Sequence, residues 1–118
     1  MSKSYVRDLS PEFTGAQRRQ LRALAHDYKP IVLVGHGGVS PSLIDALAQA
    51  LYDHELVKVK VLNNFEGEIE DVAQDLAIGT NSALVQKLGR ILLFYRQNPD
   101  DPKIVLVKDK QKTSTEKD

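Results

Sequence analysis

The residues with the most chemical reach in this chain are the glycine-rich stretch Gly35-His36-Gly37-Gly38, followed by Val39, Ser40 and Pro41. Glycine lets a backbone approach a ligand closely. Ser40 is a good N-cap and Pro41 suits a first helical position, so a helix should start here with outward N–H groups and a positive dipole end that favour an anionic phosphate. A G-x-x-G loop of this kind clamps the nucleic-acid backbone in KH domains, although an ordinary strand-to-helix turn carries the same letters. A nucleoside-triphosphate loop would need G-x-x-x-x-G-K-[ST]; here Val39-Ser40 follows the last glycine instead.

Other chemistries find less support. His36-Gly37-Gly38 shares letters with the oxyanion loop of lipases and esterases, but no G-x-S-x-G nucleophile elbow accompanies it. His26-Asp27 and His54-Glu55 place two potential metal ligands side by side, where helical neighbours diverge by about 100°, and no H-x-x-x-H spacing occurs. Histidines at helix ends, complementing the dipole, explain them. The acids Glu66, Glu68, Glu70, Asp71 and Asp75 lack the oxygen-rich loop of a calcium site and read as a solvated helix face. The absence of cysteine excludes disulfides, thiolate nucleophiles, zinc ribbons and iron–sulfur ligation. The expectation is a protein without catalytic residues, metal or cofactor.

Charge gives a second lead. The chain of 118 residues carries 16 Lys and Arg against 16 Asp and Glu, yet residues 66 to 75 hold five acids and no base. The remainder is therefore basic, and such segregation builds a positive face on a neutral molecule. At 42% hydrophobic and 27% charged, the composition is that of one globular domain. Apolar runs such as Ile31 to Val34 fall far short of the roughly 20 residues of a membrane span, and the polar N-terminus lacks a signal-peptide core. A cytoplasmic monomer with no membrane partner and no small-molecule substrate is expected.

The elements that must position these residues follow from periodicity. Residues 1–12 read as a flexible lead-in, 13–107 as the domain, and 108–118 as a polar, Lys-rich, disordered tail. Thr14-Gly15-Ala16-Gln17 is a capping box opening a helix to about His26, with Leu21, Leu24 and Ala25 on one side and Arg18 and Arg22 on another. Ile31 to Val34 reads as a central strand buried on both faces, partly parallel. A second helix from Pro41 to about Asp53 buries Leu43, Ile44, Leu47 and Leu51. Val57, Val59 and Val61 alternate with Lys58 and Lys60, which predicts a strand with one face open to water. A third helix fits Glu66 to Ile78 with Gly79 as its stop, and Ala83–Leu88 with Ile91–Arg96 forms a hairpin turning at Gly89-Arg90. Lys103 to Val107 reads as one last short strand that pairs with the sheet or hangs free. The fold class is α/β: a two-layer α/β sandwich with a four-stranded mixed sheet and three helices, in the order α-β-α-β-α-β-β.

The succession FTGAQRRQLRALAHDYKP, IVLVGHGGVSPSLIDALAQAL, HELVKVKV and LVQKLGRILLFYR resembles the CRM domain, named for chloroplast RNA splicing and ribosome maturation, in its stand-alone bacterial YhbY-like form. The resemblance covers about residues 13 to 107. It implies an RNA-binding domain related in fold to the C-terminal domain of a bacterial translation initiation factor, with bacterial members acting in assembly of the large ribosomal subunit. Gly35 and Gly38 match the family's fixed loop glycines, Lys58 and Lys60 its E-L-[IV]-K-V-K strand, and Tyr95-Arg96 its closing L-Y-R. His36 and Gly37 stand where the family often has basic or amide side chains.

The RNA-contact residues expected on both grounds are Gly35, His36, Gly37 and Gly38 at the backbone, framed by Arg18, Arg22, Lys29, Lys58, Lys60 and Arg96. The expected partner is structured RNA, ribosomal RNA in precursors of the large subunit. The competing expectation is an adaptor that holds a basic ribosomal protein through its acidic third helix.

Overall fold

The computed structural model describes residues 13 to 108; the expected lead-in over 1–12 lies outside them, as does the tail beyond Lys108. Local hydrogen-bond chemistry starts the first two helices. In α1 (Gly15–Ala25), Thr14 Oγ1 accepts the Gln17 N–H and Gln17 Oε1 accepts the Thr14 N–H, both at 3.0 Å, the expected capping box. In α2 (Pro41–His54), Ser40 Oγ accepts the Leu43 N–H at 3.1 Å. The third helix, α3 (Ile69–Thr80), starts later than expected and runs through Gly79 to a left-handed Asn81 at φ 53°. Gly79 is thus not a stop. A Cβ there would stand 2.8 Å from Ile44 Cδ1, so the missing side chain lets α3 close on α2.

Four strands form one mixed sheet in the order β1-β2-β4-β3. β1 (Val32–Val34) runs parallel to β2 (Leu56–Val61), and β2 pairs antiparallel with β4 (Ile91–Tyr95), which closes a hairpin with β3 (Ala83–Leu88). The parallel pairing matches expectation, but the central position does not. β1 is an edge strand, and while Val32 and Val34 are buried, Ile31 is 56% and Leu33 52% exposed. A run of four aliphatic residues is too short to separate burial on both faces from burial on one.

The main sandwich sets α2 and α3 against one sheet face. Val57, Val59, Val61, Leu92 and Phe94 meet Leu47, Leu51, Val72 and Leu76 there. Each fully buried leucine of this core contributes about 2 kcal/mol. On the opposite face α1 packs Leu21 and Ala25 over Leu56, Val85, Leu93 and Tyr95. Lys58 and Lys60 share this face with Leu56, so it is only partly open to water: Lys58 is half-buried and Lys60 exposed. Lys103 to Val107 adds no strand. The segment straps across α1, with Gln20 Nε2 donating to Val105 O at 2.8 Å, Gln20 Oε1 accepting the Val107 N–H at 2.8 Å, and Ile104 and Leu106 packed on the α1 core.

Glu55 anchors that strap. It is buried, holds φ at 67°, and its carboxylate accepts the N–H groups of Asn98 at 2.7 Å, Lys103 at 3.0 Å and Ile104 at 2.7 Å. Charge-assisted bonds to backbone donors are what make a buried carboxylate tolerable. Among the described residues, no helix is long and apolar enough to cross a membrane.

Candidate nucleic-acid interface

The glycine loop leaves the sheet at the end of β1 and turns directly into α2. Its turn is closed by the Gly38 N–H donating to Gly35 O at 3.0 Å. The N–H groups of His36, Gly37 and Val39 meet no acceptor among the described residues, and His36 and Gly37 are exposed. N–H groups without an internal acceptor next to a helix N-terminus suit an anion.

Only one of these loop glycines is demanded by the fold. Gly38 holds φ at +70° and a Cβ on it would stand 3.3 Å from the Phe65 ring. A Cβ on Gly35 would make ordinary contacts, 3.8 Å from Asn64 Oδ1 and 3.9 Å from Leu62 Cδ1, and one on Gly37 would meet nothing within 4 Å. The loop rests on the segment after β2, where Leu62 N–H donates to Val34 O at 2.8 Å and the Arg90 guanidinium donates to Val61 O at 2.9 Å and Leu62 O at 2.8 Å. Phe65, Asn64 and Arg90 were invisible as site residues in the sequence, because the link between β1, β2 and the hairpin turn is tertiary.

The expected cations fall into groups. Lys60 lies beside Leu33 in the β1–β2 ladder, on the exposed sheet surface leading to the loop. Lys58 is committed elsewhere: its ammonium donates to His26 O at 3.3 Å and Tyr28 O at 3.2 Å, satisfying carbonyls at the end of α1. Arg18 donates to Val85 O at 3.3 Å on β3, half-buried, while Arg22 lies in the last turn of α1. Lys29 is exposed between α1 and β1. Arg96 follows β4, its N–H on Glu55 O, at the end of the sheet away from the glycine loop.

Three of the five clustered acids lie on the other side. Exposed Glu70, Asp71 and Asp75 belong to α3, across the sheet from α1, Lys58 and Lys60. The Glu70 carboxyl is held below its ordinary value by its own backbone N–H first, and then by the Lys87 ammonium at 3.3 Å. The bases of α1 and β2 thus lie on one face of the sheet and the acids of α3 on the other, while exposed Glu66 and Glu68 follow Phe65, the ring that faces Gly38.

Comparison with known proteins agrees with this architecture. The model of the CRS1 / YhbY (CRM) domain matches residues 13–96. The chain is 43% identical over 93 residues to the Bacillus subtilis (strain 168) protein named "Probable RNA-binding protein YqeI", covering 79% of this chain and 97% of that one. It is 34% identical over 86 residues to "Probable RNA-binding protein PA4753" of Pseudomonas aeruginosa, covering 73% of this chain and 83% of its relative. The solution structure of SAV1595 from Staphylococcus aureus superposes with a TM-score of 0.67 at 37% identity, covering 80% of this chain and 99% of that one.

Proposed function

The chain belongs to the CRS1 / YhbY (CRM) domain family, and from that premise we propose that it is a non-catalytic RNA-binding protein, a cytoplasmic monomer that grips structured ribosomal RNA in precursors of the large subunit. The observation that carries the reading is the loop itself. Three N–H groups without an internal acceptor, of His36, Gly37 and Val39, precede α2, and the glycines at 35 and 37 have no packing reason to be glycine. A phosphate approaching those N–H groups supplies a reason at 37, where a side chain would enter the open space beside them. Phosphate contacts fix register and orientation, and Lys60, Arg22 and Lys29 add positive charge on the face away from the acids of α3.

The names of the relatives support RNA as the partner. The ribosomal assignment rests on the resemblance to the bacterial CRM proteins and is tested by sedimenting cell lysate on a gradient. Wild type is expected to travel with large-subunit precursors, and a folded His36→Asp, Gly37→Asp double variant to stay at the top. Equal co-sedimentation of the two would remove the loop from the account, and wild type at the top would remove the ribosomal precursor.

A further inference from the structure

At the end of β1 and β2 away from the glycine loop, a cleft of about 600 Å³ opens between the α1–β1 connection, the end of α2 and the C-terminal strap. Its floor is apolar, made by Ile31, Leu56 and Ile104; Tyr28 lines one side, and Lys29 and Lys103 bring positive charge, the Lys103 ammonium also meeting the Asp101 carboxylate at 3.4 Å. Against these stands Asp53, whose carboxylate already accepts from Gln49 Nε2 at 3.1 Å. Tyr28 and Ile31 are 42% and 56% exposed, so their apolar surface is open to a ligand in the cleft.

We propose that this cleft is a nucleotide subsite, taking one unstacked nucleotide of the RNA with its base against Tyr28 and Ile31 and its phosphate beside Lys29 and Lys103. An apolar, aromatic floor with a cationic rim matches a flat base carrying an anion, as in single-strand binding platforms. A bare phosphate would leave the floor unused, and a neutral apolar ligand the lysines. The inference rests on the RNA-binding reading and extends it along the sheet. Ile31 and Leu33 are exposed along β1, and Lys60 lies beside Leu33, so an exposed aliphatic track that ends beside one cation joins the cleft to the loop. From Ile31 to Gly35 the strand spans roughly 13 Å, the length of about four stacked nucleotides. One strand can therefore reach both ends.

The test uses the full chain, labelled with nitrogen-15 and titrated with AMP, with inorganic phosphate in a parallel titration. AMP is expected to shift the amides of Tyr28, Lys29, Ile31 and Ile104 where phosphate does not, and to do so equally in a Gly37→Asp variant. Ile31→Asp, at an exposed position, should abolish those shifts while leaving the spectrum folded, and should weaken a six-nucleotide single-stranded RNA about tenfold; Tyr28→Ala serves as the second variant. Equal responses to AMP and phosphate, or AMP shifts that survive both substitutions, would overturn the subsite. Failure of the loop reading is separate: it appears as undiminished hexamer binding by Gly37→Asp, whatever AMP does.

Discussion

The Phe65 ring supports Gly38, whose backbone at φ +70° would place any Cβ 3.3 Å from Phe65 Cε1. The same ring blocks Gly67, where a Cβ would stand 2.6 Å from Cζ, so one aromatic side chain sets the height of the loop and of the turn leading to α3. Phe65→Ala removes that support. Because Phe65 is only partly buried, the expected loss is about 2 kcal/mol, below the usual range for a fully buried phenylalanine. Urea denaturation measures it, and RNA affinity should fall alongside.

Lys58 and Lys60 look alike in the strand pattern and should behave differently. Lys60→Ala should leave stability within about 0.5 kcal/mol and reduce the slope of log K against log salt by roughly 0.7 to 0.9, the loss of one phosphate contact. Lys58→Ala strips a donor from the His26 and Tyr28 carbonyls and should cost about 1 kcal/mol in thermal or chemical unfolding, with little change in that slope.

Replacing Glu55 by Gln converts one acceptor oxygen of a fully engaged carboxylate into a donor. At least one of the N–H groups of Asn98, Lys103 and Ile104 then faces an N–H instead of an oxygen. A loss of about 2 kcal/mol is expected. Hydrogen exchange should localise it, with faster exchange at those three amides and unchanged protection in β2 and β4.

The tyrosines give an alkaline signature. The Tyr52 phenol is pushed up chiefly by its hydrogen bond to the Asp100 carboxylate at 2.8 Å, and the Tyr95 phenol by burial, with Glu55 adding to it. Both folded-state values lie above the unfolded value of about 10, so their contribution to stability is whole below that pH and is lost as pH rises through the folded values, because the unfolded chain releases its protons first. Ultraviolet titration should show two phenols ionising late. Tyr52→Phe should make the alkaline fall in stability shallower.

The parts legible in the sequence are those decided by neighbours in the chain. Thr14 with Gln17, Ser40 with Pro41, and Gly89 between two apolar runs fixed two helix starts and a hairpin through local bonds and backbone freedom. Gly79 misled because it carries the usual stop signal, while its contact with Ile44 on another helix is what the fold uses. The edge position of β1 depends on which strand pairs beside it, and the separate fates of Lys58 and Lys60 on where α1 ends over β2. Glu55 reads as the entry to a strand, and only the return of the chain at Asn98 and Ile104 makes it a buried anchor. The glycine loop is legible in its letters; which of its glycines the fold requires is not.

The most direct test is the affinity of Gly37→Asp for a large-subunit ribosomal RNA fragment, measured beside wild type across a range of salt. A Cβ at this position meets nothing within 4 Å, so the variant should fold and unfold as wild type does. Binding at least tenfold weaker is expected, since a carboxylate then stands where a phosphate should sit against the loop N–H groups. Equal affinity with an equal salt slope would contradict it and leave the loop as no more than a turn between β1 and α2.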